Sequence, residues 1–202
     1  MSRGKKKAIV ICVAGLTGCG KSTVATRLAK KYGLKHLSGG TTLKQLAIEA
    51  GYQPHEIGWW ETREGAKFLK HRFEDPKFDR HVDEQLLKQA ERGNVILDSW
   101  TMPWLLGKGF KIWLEASPKV RARRLARRDG ISIKEAIEAI NEKDETTRRI
   151  YRDLYGFKLG EDFSPFNLIL DVNLLDTEEV FKTLCLVIDR LVLEKQPQAP
   201  SR

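Results

Sequence analysis

Cysteine, asparagine and glutamine are scarce in this chain, and no apolar run is long. Only Cys12, Cys19 and Cys185 occur in 202 residues. None forms a C-x-x-C pair or has a histidine at metal-ligand spacing, which argues against a disulfide framework and a zinc site and makes a reducing cytoplasm the default. His36, His55, His71 and His81 share no convergent spacing. Apolar stretches are as short as Ala8 to Ala14, well below a bilayer span. Arg3, Lys5, Lys6 and Lys7 precede that stretch without an export-type cleavage site. No membrane partner is therefore expected. Four asparagines and six glutamines beside 36 Lys+Arg and 27 Asp+Glu suit a thermophilic source. At 41% hydrophobic residues the chain is too apolar for disorder and is the size of one domain. A net charge of +9 is compatible with nucleic acid and also with polyanionic small molecules, so placement of the charges must decide.

Strand and helix signals alternate along the chain. Ala8 to Val13 reads as a strand buried on both faces that runs into a glycine-rich turn. A helix follows from about Lys21 to Lys31, closed by Gly33, and then a short extended piece from Lys35 to Leu37. Gly39-Gly40 opens a helix from Thr42 to about Ala50. Gly51, Pro54 and Gly58 then break the pattern before helical stretches from about Trp59 to Phe73 and Phe78 to Glu91. Val95 to Asp98 and Phe110 to Leu114 read as strands. Helices follow from Pro118 to Arg128 and from Ser132 to about Tyr151, with Pro and Ser suited to those starts. Leu168 to Leu170 is a last strand, and Val180, Leu184, Val187, Ile188 and Leu191 recur at helical spacing. The pattern predicts a three-layer α/β/α fold around a mostly parallel five-stranded sheet, one domain over 1–194, with 195–202 a disordered tail.

Gly15-x-x-x-x-Gly20-Lys21-Ser22 is a complete Walker A motif, with strand before and helix after. Its glycines let backbone N–H groups converge on phosphate oxygens, Lys21 would reach the β and γ phosphates, and the Ser22 hydroxyl would ligate Mg²⁺. Gly15, Thr17, Gly18, Cys19, Gly20, Lys21, Ser22 and Thr23 form the expected nucleotide-binding set. Cys19 reads as a small residue filling the loop rather than a reactive thiol. Asp98, at a strand end, suits the magnesium shell; capping the next turn is its other reading. The loop Ser99 to Trp104 suits a stacking surface for a base or a hydrophobic plug. Arg121, Arg124 and Arg128 share one helical face, leaving Ala122, Leu125 and Ala126 to face the sheet. Arg148, Arg149 and Arg152 make a second cluster. A solvated basic face is the plain account of both. Two arginine groups bracketing a helical segment also suit a lid over transferring phosphates.

Gly15 to Ser22, Ser38-Gly39-Gly40, the Asp75-Pro76 turn with Asp79, the Asp98 loop, Lys111 to Leu114, the Arg121/Arg124/Arg128 helix, Asp129 to Ser132 and Tyr155-Gly156 together resemble archaeal cytidylate kinases over about residues 8 to 192. The resemblance implies a P-loop nucleoside monophosphate kinase with a core sheet, a monophosphate-binding insertion at about 38–75 and a lid at about 128–157. Mg-ATP would phosphorylate CMP or dCMP. It implies catalytic roles for Lys21, Asp98, Arg124, Arg128 and Arg149, a phosphate-facing Arg121, magnesium at Ser22 and Asp98, and an acceptor site at Ser38, Gly40, Thr41, Lys44, Ser99 and Trp100. A monomer acting on small nucleotides is implied too. Thr41 stands where the family has an acid, Lys44 and Trp100 where it has arginines, Lys143 and Ile150 at usual lid arginines, and Lys158 at an aspartate. A Trp59 to Glu64 stretch lengthens the insertion, with Trp59 and Trp60 either anchoring it, the favoured account, or lining the acceptor pocket. Other readings are a P-loop kinase for another nucleotide or small alcohol, and a non-catalytic ATP-binding or RNA-associated protein motivated by the Lys5-Lys6-Lys7 arm. The clustering of basic residues at lid positions makes nucleic acid the weaker partner.

Overall fold

The computed structural model describes residues 8–54 and 59–194. The Lys5-Lys6-Lys7 arm, His55, Gly58 and the 195–202 tail lie outside the described residues.

Five strands form one sheet: β1 (Val10–Ala14), β2 (Lys35–Ser38), β3 (Val95–Asp98), β4 (Phe110–Glu115) and β5 (Leu168–Asp171). All pairs are parallel, in the order β2-β3-β1-β4-β5. The β1 side chains alternate between two cores. Ile11 and Val13 pack towards α1 (Lys21–Tyr32) and α8 (Thr177–Ile188). Val10 and Cys12 pack towards α2 (Gly39–Glu49), α4 (Lys77–Arg92) and α5 (Met102–Leu105). Burial on both faces explains the uninterrupted apolar composition of the central strands. Register aligns Val13 and Ser38 with Asp98, so β1, β2 and β3 end along one edge. Because β1 lies between β3 and β4, connections leave that edge in opposite directions and open a crevice there.

Capping chemistry refines the helix starts. Ser38 accepts from the Thr41 N–H, so α2 begins at Gly39 rather than Thr42. The Trp59 to Phe73 stretch is a 3₁₀ turn (Trp59–Glu61) followed by α3 (Arg63–Glu74), because Thr62 caps the Gly65 N–H. Gly65 lets the turn fold back on the helix: a Cβ there would lie 2.1 Å from the Trp59 carbonyl oxygen. α6 (Pro118–Asp129) starts at the expected proline. α7 (Ile133–Tyr155) starts at a Ser132/Glu135 capping box and runs a turn beyond its expected end, to an αL glycine at 156. Ala122, Leu125 and Ala126 pack on Ala136 and Ile140 of α7 rather than on the sheet. α6 and α7 make their own core. Ile150 is buried with Trp113 and Phe157, so this position of α7 carries packing rather than charge.

Candidate active site

β1 delivers the chain into the glycine turn. Gly15, Gly18 and Gly20 have φ of +151°, +81° and +99°, values open chiefly to glycine. Space also requires two of them: a Cβ on Gly15 would lie 2.6 Å from the Leu114 carbonyl oxygen, and one on Gly18 would lie 2.9 Å from that of Arg121. The turn ends where α1 starts at Lys21, so free amides and the positive helix end face the same space. Cys19 is buried, and burial pushes its thiol pKa up, as suits a packing residue.

That space is a cleft of about 880 Å³ at the C-terminal edge of the sheet. Among the residues expected to form the site, Thr17 to Thr23, Ser38, Gly40, Thr41, Lys44, Asp98, Ser99, Trp100, Arg124 and Arg128 all line it. Gly15 is buried beneath the loop. Asp98 is 3% exposed, and its Oδ1 is buried with no hydrogen-bond partner. A buried carboxylate oxygen without a donor suits a cation better than the turn-capping alternative.

The tryptophan loop divides its work. Trp100 donates its indole N–H to the Gly15 carbonyl at 2.6 Å, and the Lys21 ammonium lies 5.1 Å from its ring centroid. It lines the cleft while clamping the glycine turn. Trp104 stacks on Phe157 at 4.1 Å and is the plug. Trp59 is fully buried against Phe68 and Ala47 and anchors the insertion. Trp60 lines the cleft with the Lys143 ammonium 4.9 Å from its centroid.

The arginines separate by depth. Arg121 is not phosphate-facing: it is 4% exposed and paired with Asp144 at 2.6 Å. Arg124 lines the cleft, but its guanidinium donates to the carbonyls of Cys19, Val172 and Leu175, so it braces the loop. Arg128 remains at the cleft with its fork on Asp129 at 2.6 and 2.7 Å. Arg149 does not reach the cleft. It lies on the outer side of α7, paired with Glu145. Arg148 donates to the Leu159 carbonyl and Arg152 pairs with Asp153, so the second cluster is not a phosphate clamp. The helical wheel groups these side chains correctly but carries no information on which neighbouring helix covers them.

At the far end of the cleft α4 presents two acids one turn apart, Asp79 and Asp83, 2% and 4% exposed. Arg72 of α3 forks onto Asp79 at 2.6 and 3.1 Å. Asp83 accepts from Thr101 and, at 2.7 Å, from Tyr155 of α7. Tyr151, one turn earlier, faces the Arg72–Asp79 pair. Asp79 and Tyr155 entered the sequence argument through the resemblance and Thr101 as part of the tryptophan loop, but Arg72 and Asp83 did not enter it. The available signal was a pair of acids sharing the buried face of α4 with Val82 and Leu86.

Residues 10–174 match the model of the cytidylate kinase-like family. The chain belongs to that family. It is 35% identical to the cytidylate kinase of Pyrococcus horikoshii over 92% of this chain and 91% of that protein, and 36% identical to that of Pyrococcus abyssi over 92% and 97%. A shikimate kinase from Bacteroides thetaiotaomicron shares the fold, with a TM-score of 0.55 at 17% identity over 90% of this chain and 96% of its own. Among the described residues no helix is long and apolar enough to cross a membrane.

In this member of the cytidylate kinase-like family, the acid end of the cleft should be visible in stability. Burial pushes Asp83 up from 3.8 to about 6, helped by Asp79 and opposed by the hydrogen bonds from Thr101 and Tyr155 and by Arg72. The folded state therefore favours the protonated acid. Its stabilising contribution is complete below the unfolded pKa of 3.8 and is lost as pH rises through about 6. The stability of Asp83→Asn relative to the parent should rise by about 2–3 kcal/mol between pH 4 and pH 7. Urea titrations of both proteins across that range measure it; a constant difference would show that Asp83 does not titrate there.

Proposed function

We propose that this chain transfers the γ-phosphoryl group of ATP to CMP or dCMP, releasing ADP and CDP or dCDP. The observation that carries the reading is one cleft lined by the phosphate loop, by Asp98 and by Asp79 and Asp83. On this reading residues 38–75 form the acceptor insertion and residues 128–157 the lid. The amides of Gly18 to Ser22 and the Lys21 ammonium bind the donor phosphates. Arg128 and Lys143 approach from the lid side and offset charge on the phosphoryl group in flight. Transfer is in line, from one bound substrate to the other, with no covalent enzyme intermediate.

On the acceptor side the N-terminus of α2 at Ser38-Gly39-Gly40 and the Lys44 ammonium suit the acceptor phosphate. Buried carboxylates at the base end suit a hydrogen-bond donor such as the 4-amino group of cytosine. Magnesium fits the residues present: the unpartnered Asp98 Oδ1 and the Ser22 hydroxyl both border the cleft. No cage of three or more His, Cys, Asp or Glu side chains occurs among the described residues, so the ion would arrive on the nucleotide's phosphates. When bound it would neutralise phosphate charge. The free, buried thiols of Cys12, Cys19 and Cys185 suit a reducing cytoplasm.

A second reading keeps the donor chemistry and changes the acceptor to another nucleotide or a small alcohol. It is favoured by Lys44 and Trp100, which replace planar phosphate-gripping forks by a point charge and a loop clamp. Coupled measurement of ADP release decides, with CMP, dCMP, UMP, AMP, GMP, dTMP, nucleosides and small alcohols as acceptors. CMP should give the highest kcat/KM. ADP release with an alcohol but with none of the monophosphates would overturn the first reading in favour of the second.

A further inference from the structure

Thr17 lies inside the glycine turn, yet both of its main-chain polar groups are held from outside the loop. Its N–H donates to Asp144 Oδ1 at 3.3 Å, and its carbonyl accepts from Arg121 Nη1 at 3.0 Å. The same Arg121 nitrogen donates to Asp144 Oδ2 at 2.6 Å, and Arg121 Nε donates to the Ala116 carbonyl at 3.1 Å. The Asp144 and Arg121 side chains are 3% and 5% exposed. Next to Thr17, Gly18 meets the α6 backbone so closely that a Cβ would fall 2.9 Å from the Arg121 carbonyl oxygen. Three separate contacts thus fix one stretch of the turn from behind, and they come from two different helices.

We propose that Asp144, acting with Arg121, is a positioning residue for the phosphate loop: α7 sets the curvature of the turn through one buried ion pair. Asp144 is not among the residues that line the cleft. Its effect passes through Thr17, whose amide it orients so that the following amides, from Gly18 to Ser22, converge on the donor phosphates. A displacement of about an ångström in such a turn lowers binding and rate far more than the lost hydrogen bond alone suggests. The consequence is specific to the donor. α7 meets the acceptor end through different side chains, Tyr151 and Tyr155. Loss of Asp144 should therefore leave acceptor recognition intact.

The inference rests on the kinase reading only in its kinetic arm, so it is tested first by binding. Asp144→Asn should weaken affinity for a non-hydrolysable ATP analogue about tenfold by calorimetry. KM for ATP should rise by a similar factor while KM for CMP stays within twofold. Joint replacement Arg121→Met/Asp144→Leu removes the pair without stranding a buried charge, and so serves if the single variant fails to fold. It should weaken the analogue as much as the single change. Analogue affinity within twofold of the parent in a folded variant overturns the proposal, as does an equal rise in both KM values accompanied by a lower melting temperature. An active-site reading that is wrong while the positioning is right shows differently: the parent binds the analogue tightly, the variants bind it weakly, and no acceptor yields ADP.

Discussion

Lys21→Met is expected to lower kcat about a hundred- to a thousandfold while leaving the protein folded. Lys21 opens α1 at the edge of the cleft, and its ammonium lies over Trp100 rather than in an ion pair with any described residue. Its stem is partly exposed, so methionine preserves the packing and only the charge disappears. That charge is worth most when the phosphoryl group is between donor and acceptor, because negative charge then spreads over its outer oxygens in a space with little water. The loss should accordingly fall mainly on kcat, with a smaller rise in KM for ATP and none for CMP. Steady-state kinetics with each substrate varied in turn measures the split, and circular dichroism confirms the fold. A kcat within threefold of the parent would remove the phosphate loop from the reaction.

The largest effect on stability should come from Arg72→Met. Arg72 is 1% exposed and forks onto Asp79, itself 2% exposed. Removing the guanidinium leaves a buried carboxylate without its counter-charge, beside Asp83 and with Tyr151 as a remaining hydrogen-bond partner, and breaking such a pair typically costs about 3–5 kcal/mol. For a chain of this length the melting temperature should fall by roughly 10 °C. Joint replacement Arg72→Met/Asp79→Leu should recover most of the loss, since neither charge then needs desolvation. Calorimetric melting of the parent, the single variant and the joint variant measures this. A single variant as stable as the parent would mean that water or another donor reaches Asp79. The joint variant carries a second message: a stable protein with impaired use of CMP and normal affinity for the ATP analogue would mark the pair as part of the acceptor end.

The glycine turn at the cleft was legible because its information is local. A strand, six residues of turn and a helix start suffice to aim a set of amides, and Val10 to Ser22 supply all three in order. Asp98 was legible for a similar reason, since a strand end in a parallel sheet points at the crevice. The arginines show where local pattern stops. Spacing put Arg121, Arg124 and Arg128 on one face, but α7 covers the first, and of the two that line the cleft the second is held by backbone carbonyls and the third has its fork on Asp129. Arg149 faces outward because α7 packs its other side on α6 and the core.

The Asp79–Asp83 part of the cleft was the least readable. Arg72 and Asp79 lie on different helices joined by the Asp75-Pro76 turn, and their pairing depends on how α3 folds back along α4. Thr101 and Tyr155 meet at Asp83 although more than fifty residues separate them. The order of strands and helices, the parallel sheet and the phosphate-binding turn thus followed from short-range chemistry: alternating burial, caps and glycine conformations that need only neighbouring residues. Which charged groups face the cleft, which ones brace the loop and which meet solvent was settled by the packing of α3, α4, α6 and α7. The cost of burying an ion depends on every group around it, and those groups come from distant parts of the chain.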